Sequence, residues 1–289
     1  MTISSRAYID SLDHNTVMDF LRELYAETGG LENWLPTRFE NNSRSMDPGI
    51  RLWFDDDTLV GLVVPESTLL YYVMLHSEYI LLYPEMVAWI ETYSRSTWKG
   101  MLTIVEMEGT IDREKVLREY GFAKGRVSDI FRIRDLSSQI PDFKLPEGYR
   151  VRSVTPDDFD ELASCIRQVF GHGEWFNRDI LVENASASYY HSDLDLVVVD
   201  KAGKIVSFCT FRLDPPTGLT ELEPMGTLSE YRNMGIGRAL ICEGFRRLKG
   251  YNPSMLFIGE AANTPSANRL YELTGFTEQY DMLRWVKTI

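Results

Sequence analysis

The sequence predicts an α/β (α+β) fold built as two tandem copies of one unit, and three observations predict it. The triplet Ser-Glu-Tyr starts at Ser77 and again at Ser229, 152 positions later, and the pair Gly-Phe occurs at Gly121 and again at Gly275, 154 positions later. The same order of predicted strands and helices surrounds both sets. One repeated triplet means nothing, but two matches in near register within a repeated element order indicate a duplicated domain. A length of 289 residues suits two domains of ordinary size. The stretch SSQIPDFKLPEGYR, rich in Ser, Pro and Gly and without periodicity, separates them, so the expected domains are 1–137 and 148–289 with a linker at 138–147.

In the first copy, Val17, Phe20, Leu21 and Leu24 recur at helical spacing and predict a helix over Asn15 to Glu27. IRLWF and LVGLVVP read as a strand pair across the turn Asp55 to Asp57, and TLLYYVML as a third strand. A helix from Pro84 to Tyr93, the strand MLTIVEM, a helix from Arg113 to Tyr120 and the strand DIFRIRDL follow. The second copy repeats the order. A helix over Asp158 to Phe170 precedes the strands LDLVVV and IVSFCTFRL across a turn at Asp200 to Gly203. Then come the strand LTELEPMGT, a helix from Ile236 to Leu248, the strand SMLFIG, a helix from Ser266 to Thr274 and the strand MLRWVKT.

Composition narrows the function. A 44% hydrophobic fraction with 25% charged residues is that of a chain with sizeable cores. A net charge of -13 repels a phosphate backbone and argues against nucleic acid as a partner. An acidic surface also suits a cationic substrate such as an amine, although solubility alone accounts for it. Cys165, Cys209 and Cys242 are odd in number and sit in apolar patterns, as reduced core thiols do. MTISSRAYIDSLDHN lacks an apolar signal core and no run has the length of a membrane span, so the expectation is a cytoplasmic protein with no membrane partner. Asn41, Asn42 and Ser43 match a glycosylation sequon, taken as chance in that setting. Four scattered histidines without metal-ligand spacing give no metal site.

The chemistry concentrates after the second Ser-Glu-Tyr. Arg232, Asn233, Met234, Gly235, Ile236 and Gly237 fall where a strand ends and an amphipathic helix begins, so peptide N–H groups collect at the positive end of a helix dipole. The glycines permit tight curvature and close approach, and Arg232 and Arg238 add charge, as a phosphate requires. Leu240 stands where a dinucleotide fold has its third glycine, and the Gly-Lys-Ser/Thr of a nucleoside triphosphatase is missing.

The run Arg232-x-x-Gly235-x-Gly237 resembles the pyrophosphate loop of the Gcn5-related N-acetyltransferase superfamily. GEAANTPSANRLYELTGF resembles its acyl-CoA motif, with Ala267, Leu270, Tyr271, Gly275 and Phe276 in place; Thr264 replaces the motif's asparagine and Asn263 comes one residue early. The likeness covers 148–289 well and the first half in outline. It implies two folds of that superfamily, each a mixed, mostly antiparallel sheet flanked by helices, and acetyl-CoA as co-substrate with an amine as acceptor. The backbone of Met225, Gly226 and Thr227 would bond the pantetheine arm and polarise the thioester carbonyl. Asn233, Met234, Gly235, Ile236, Gly237 and Arg238 would hold the pyrophosphate, with Arg232 beside them. Asn263 and Asn268 would meet the pantetheine or adenosine end, or else serve as a helix cap and a solvent-facing residue. Pro224 fits a strand splayed from its neighbour, in whose opening the co-substrate would lie.

Glu221 and Glu223, two apart on that strand, share a face and either can act as general base, directly or through water; their alternative is a solvated strand face. Tyr271 would be the general acid at the sulfur, or a core aromatic. His172 and Trp175 in GHGEWF lie where the superfamily often builds an acceptor pocket, or form an ordinary glycine-flanked surface loop. The implied function is an N-acetyltransferase acting by direct attack in a ternary complex; a non-catalytic CoA-binding sensor or scaffold is the alternative, and O- or S-acyl transfer needs no different loop. Monomer and homodimer are both open. In the same register the first copy puts Ile80 opposite Arg232, Tyr83 opposite Gly235, Glu85 opposite Gly237 and Leu117 opposite Tyr271, which marks it as a degenerate copy.

Overall fold

The computed structural model describes residues 2–28, 34–40 and 49–289, the side chain of Ser128 apart. The sequon at Asn41 lies outside them. Two compact units emerge: Met1–Phe131 with Tyr280–Ile289, and Arg132–Gln279.

In the first unit, β1 (Ile3–Ala7) pairs antiparallel with β2 (Arg51–Asp55), and β2 turns through Asp56, at φ 51°, into β3 (Thr58–Ser67). Asp tolerates that left-handed conformation because its short polar side chain bonds locally. β4 (Leu70–Leu75) returns antiparallel to β3, then crosses through α2 (Tyr83–Thr97) to run parallel with β5 (Met101–Met107). β12 (Phe276–Thr288) supplies the far neighbour of β5, with Met282 opposite Met107 and Thr288 opposite Met101. That pairing is why Tyr280–Ile289 groups with the first unit. Trp53, Tyr83, Met86, Ile90, Leu102, Leu117 and Trp285 meet in its core.

α1 (Asp10–Thr28) begins five residues before the expected Asn15. Its start is polar, which hides it from apolar periodicity. Asp13 fixes it: the carboxylate accepts two bonds of 2.6 Å from Arg6 and one of 2.8 Å from the Ile9 N–H. α3 (Ile111–Glu119) and β6 (Ala123–Arg134) complete the series.

In the second unit, β7 (Arg150–Ser153), β8 (Asp195–Val199), β9 (Ile205–Leu213) and β10 (Leu219–Thr227) pair antiparallel in that order, and β10 then runs parallel with β11 (Met255–Ala262). α4 (Phe159–Phe170) and α5 (Arg178–Ala185) pack on one face around Val197, Val199, Phe208 and Leu228. On the other face α6 (Ile236–Leu248) brings Phe245 against Phe211, with ring centroids 5.9 Å apart, and α7 (Pro265–Leu273) follows β11. Gly244 lets α6 lie this close: a Cβ there would stand 2.0 Å from the Phe211 ring. The result is the mixed, mostly antiparallel sheet with flanking helices that the sequence predicts.

Boundaries of β5, β10 and α6 coincide with those predicted, because each is a run of one clear period. β1, β7, α5 and the helical residues 36–40 go unpredicted. They are short, and their polar content gives neither period a foothold. Cys165, Cys209 and Cys242 are buried free thiols, as expected. Among the described residues, no helix is long and apolar enough to cross a membrane.

Candidate active site

The site begins where two parallel strands part. β10 and β11 match from Leu219↔Met255 to Glu221↔Phe257, and both continue beyond that point without matching each other. Pro224 has no N–H to offer a ladder, and the register of β10 against β9 shifts between Leu222 and Met225. The opening follows from these two features.

Past the shift, the Leu228 N–H donates to Val206 O at 3.0 Å, so antiparallel alternation directs the backbone of Gly226 and Leu228 toward β9. The N–H and C=O groups of Met225 and Thr227 therefore point to the side that β11 has vacated. Arg232 confirms the direction, its Nε donating to the Thr227 carbonyl at 3.0 Å. Gly226 is a point of close approach on the opposite face: a Cβ there would stand 2.5 Å from the Phe208 ring and 2.7 Å from Val169.

A turn of Ser229–Tyr231 leads into the glycine loop. Asn233 (φ 62°) and Gly235 (φ 78°) are both left-handed, the second as the N-cap of α6. Nothing crowds a Cβ at Gly235, so conformation is what calls for glycine there. Gly237 answers to packing instead, since a Cβ would meet Met225 Cε at 2.8 Å. Ala239 N–H makes a bond of 3.0 Å to Gly235 O, so the N–H groups of Ile236, Gly237 and Arg238 precede the helical ladder and gather at its positive end. Arg232, Asn233, Met234 and Gly235 are exposed. Arg238 lies along the helix, where its positive charge near Cys242 offsets part of the upward push of burial on the thiol.

α7 brings the acyl-CoA motif to the same opening. Thr264 caps it, its hydroxyl accepting from the Ala267 N–H at 3.3 Å, so the residue that replaces the motif's asparagine does a capping task. Asn263 is not that cap; its Oδ1 accepts from Asn268 Nδ2 at 3.0 Å. Leu270 faces the position of Gly237. Tyr271 is 8% exposed, edge-on to Phe276 at 5.9 Å. Burial raises its phenol above the ordinary tyrosine range, the Glu223 carboxylate pushes it further and Arg132 works against both.

Glu221 and Glu223 differ in setting. Glu221 is 1% exposed and stands opposite Arg212 in the ladder, whereas Glu223 is partly exposed at the opening and close enough to Tyr271 to raise its phenol. His172 is ringed by Phe170, Trp175 and Phe176 at 5.6, 5.1 and 5.4 Å, and Phe170 reaches Phe208 at 5.8 Å. The aromatic loop thus connects through Phe208 to Gly226. Sequence reasoning missed Arg132 altogether. Its signal was a charged residue in the apolar alternation of DIFRIR.

The first unit fills its own version of this opening. β4 and β5 likewise stop pairing, at Tyr72↔Val105. Tyr83, at the position of Gly235, is buried and donates to Glu106 Oε1 at 2.7 Å. Arg113 donates to Glu106 Oε2 at 3.3 Å and to the Val73 carbonyl at 3.0 Å, and lies 5.3 Å from the Tyr83 ring centre. By the 152-residue register Val73 corresponds to Met225. Leu117, opposite Tyr271, is fully buried, and Glu85, opposite Gly237, accepts from Trp53 Nε1 at 2.8 Å. The cavity that remains has a volume of 180 Å³, below the range of about 300–1,000 Å³ usual for ligand pockets.

Residues 159–276 match the family model of the Acetyltransferase (GNAT) family. Among curated proteins, the chain is 32% identical over 172 residues to a mycothiol acetyltransferase of Thermobispora bispora, covering 54% of this chain and 56% of that one. It is 27% identical over 133 residues to a beta-lysine N(6)-acetyltransferase of Methanosarcina mazei, covering 46% and 48%. The chain thus spans about half the length of the curated relatives it matches. Two solved structures share its fold nearly end to end. A GCN5-related N-acetyltransferase from Sphaerobacter thermophilus has a TM-score of 0.69 at 16% identity and covers 99% of this chain and 96% of its own. A tandem GNAT protein from the clavulanic acid biosynthesis pathway has a TM-score of 0.71 at 12% identity, covering 99% and 98%. The family match thus lies within the second unit, in a chain with the fold of a tandem GNAT protein.

Proposed function

We propose that the chain is an acetyl-CoA-dependent N-acetyltransferase that works through its second unit, with a primary amine attacking the thioester directly while both reactants are bound. The observation that carries this reading is the parting of β10 from β11 after Glu221, which leaves the Met225 and Thr227 backbone groups directed to the vacated side beside the left-handed Gly235 turn that starts α6.

The exposed turn suits a pyrophosphate, because three N–H groups at a helix start and Arg232 nearby favour negative charge. The Met225 and Thr227 amides suit a pantetheine arm and the thioester oxygen. Acetyl-CoA, when bound, supplies the acyl group. Glu223 is the better base of the two glutamates, since a carboxylate that takes a proton from an incoming ammonium needs contact with the opening and Glu221 is buried. As the amine nitrogen bonds the carbonyl carbon and the carbon–sulfur bond breaks, Tyr271 donates its proton to the leaving thiolate, and the proton shed by the new amide nitrogen passes through solvent to restore the phenol. The phenol is protonated at neutral pH, and because burial makes it a weaker acid it gives up that proton only as negative charge builds on the sulfur. The thiols of Cys165, Cys209 and Cys242 are all raised by burial, which favours direct attack over a cysteine-borne acyl group. In this account the first unit gives structural support and the second performs the transfer.

The test is thiol release from acetyl-CoA with a panel of primary amines, repeated with Tyr271→Phe. Amine-dependent release that collapses in the variant supports the reading. Tight acetyl-CoA binding with no release from any amine moves the assignment to a CoA sensor, and no acetyl-CoA binding overturns it.

A further inference from the structure

Beyond the site, a buried arginine stands outside the span of the family match. Arg132 is 2% exposed, on β6, outside residues 159–276. Its Nη2 donates to Asn268 Oδ1 at 2.9 Å and its Nη1 to the Phe276 carbonyl at 3.4 Å. Asn268 in turn donates through Nδ2 to Asn263 Oδ1 at 3.0 Å. The order is forced by chemistry: a guanidinium only donates, so it fixes which end of the Asn268 amide is oxygen, and that fixes the amide of Asn263. That leaves the NH2 group of Asn263, an exposed residue, outside this chain of bonds. Arg134, two residues on, donates from Nε to the Thr274 carbonyl at 3.1 Å, just past the end of α7.

We propose that Arg132 is a positioning residue for acyl transfer: it clamps the middle of α7 and the strand after it, holding Tyr271 and the Asn263–Asn268 pair at the opening. This rests on the acetyltransferase reading of the site. A buried arginine whose only task was to fill space would be replaceable by an apolar side chain of similar length. Here the two bonds reach elements on either side of Tyr271, so loss of the guanidinium frees the helix that carries the phenol.

The test compares Arg132→Gln and Arg132→Lys with Tyr271→Phe and the Arg132→Gln/Tyr271→Phe double variant. Arg132→Gln lowers kcat by about 10- to 100-fold, as a misplaced acid does, and raises KM for acetyl-CoA by about two- to fivefold through the freed Asn263–Asn268 pair. Arg132→Lys, which keeps the charge but cannot span both acceptors, recovers only part. The double variant has the kcat of Tyr271→Phe alone, because Arg132 acts through the phenol. Additive losses, or wild-type kcat in Arg132→Gln, overturn the proposal. A second measurement is independent of turnover. In protein carrying 3-fluorotyrosine, the resonance missing from Tyr271→Phe shifts or broadens in Arg132→Gln while the other tyrosine signals stay in place. An unmoved Tyr271 resonance overturns the proposal even in a protein that turns out not to acetylate amines, and a moved one upholds the clamp while the acetyltransferase reading fails by itself.

Discussion

Glu221 and Phe257 are the last residues that β10 and β11 match, and every group assigned to acetyl transfer lies beyond that pair or on the helices that follow the two strands. Four predictions follow from this geometry and from the contacts around it.

Gly235→Val abolishes the thermal stabilisation that acetyl-CoA gives. Its φ of 78° is the left-handed region that β-branched residues avoid, and open space around the position means that the backbone of the turn changes rather than its packing. The apoprotein loses about 1–2 kcal/mol and stays folded. Differential scanning fluorimetry with and without millimolar acetyl-CoA checks both parts, and an unchanged shift contradicts the loop assignment.

Glu223→Gln lowers kcat by about 10²–10⁴-fold with little effect on KM for acetyl-CoA, as loss of a general base does. Glu221→Gln leaves kcat within a few-fold of wild type. Steady-state kinetics on the two variants decide between them; the opposite order assigns the base to Glu221.

Asp158 makes the second unit acid-sensitive in a defined window. Arg152 bonds its two oxygens at 2.7 Å each and the Thr155 N–H and hydroxyl add bonds of 2.8 Å, so its carboxyl is lowered to about 2. A depressed acid stabilises the fold above its unfolded pKa, about 3.9, and loses that contribution as pH falls through the folded value near 2. Asp158→Asn therefore costs about 2 kcal/mol at pH 7 and much less at pH 2. Urea unfolding at both pH values measures the difference, and an equal cost at both contradicts it.

Tyr83→Phe destabilises the first unit by about 1–3 kcal/mol, because Glu106 is buried and loses a bond of 2.7 Å. Acetyl-CoA affinity is unchanged. Denaturation and calorimetry together check this; weaker acetyl-CoA binding would give the first unit a part in the site that the present account does not.

Much of this was legible in the sequence for physical reasons. Strands such as MLTIVEM and LTELEPMGT announce themselves by apolar pattern, and a glycine pair at a strand–helix junction has few uses, so the loop proposed to hold the pyrophosphate stood out. Thr264 was visible as a departure from the motif, but whether it or Asn263 capped α7 depends on a hydrogen bond that spacing does not reveal. Arg132 was hidden because its partners, Asn268 and Phe276, lie more than a hundred residues away in the chain, and no local pattern marks such a contact. The filling of the first unit's opening was half legible: bulky residues at the glycine positions could be read, whereas the pairing of Tyr83 and Arg113 on Glu106 required the fold.

The most direct test of the division between the two units is calorimetric titration of acetyl-CoA into the wild-type chain, Gly235→Val and Arg113→Ala. One site per chain is expected, lost in Gly235→Val and retained with unchanged affinity in Arg113→Ala. Two sites per chain, or a single site that survives Gly235→Val and disappears in Arg113→Ala, would contradict it.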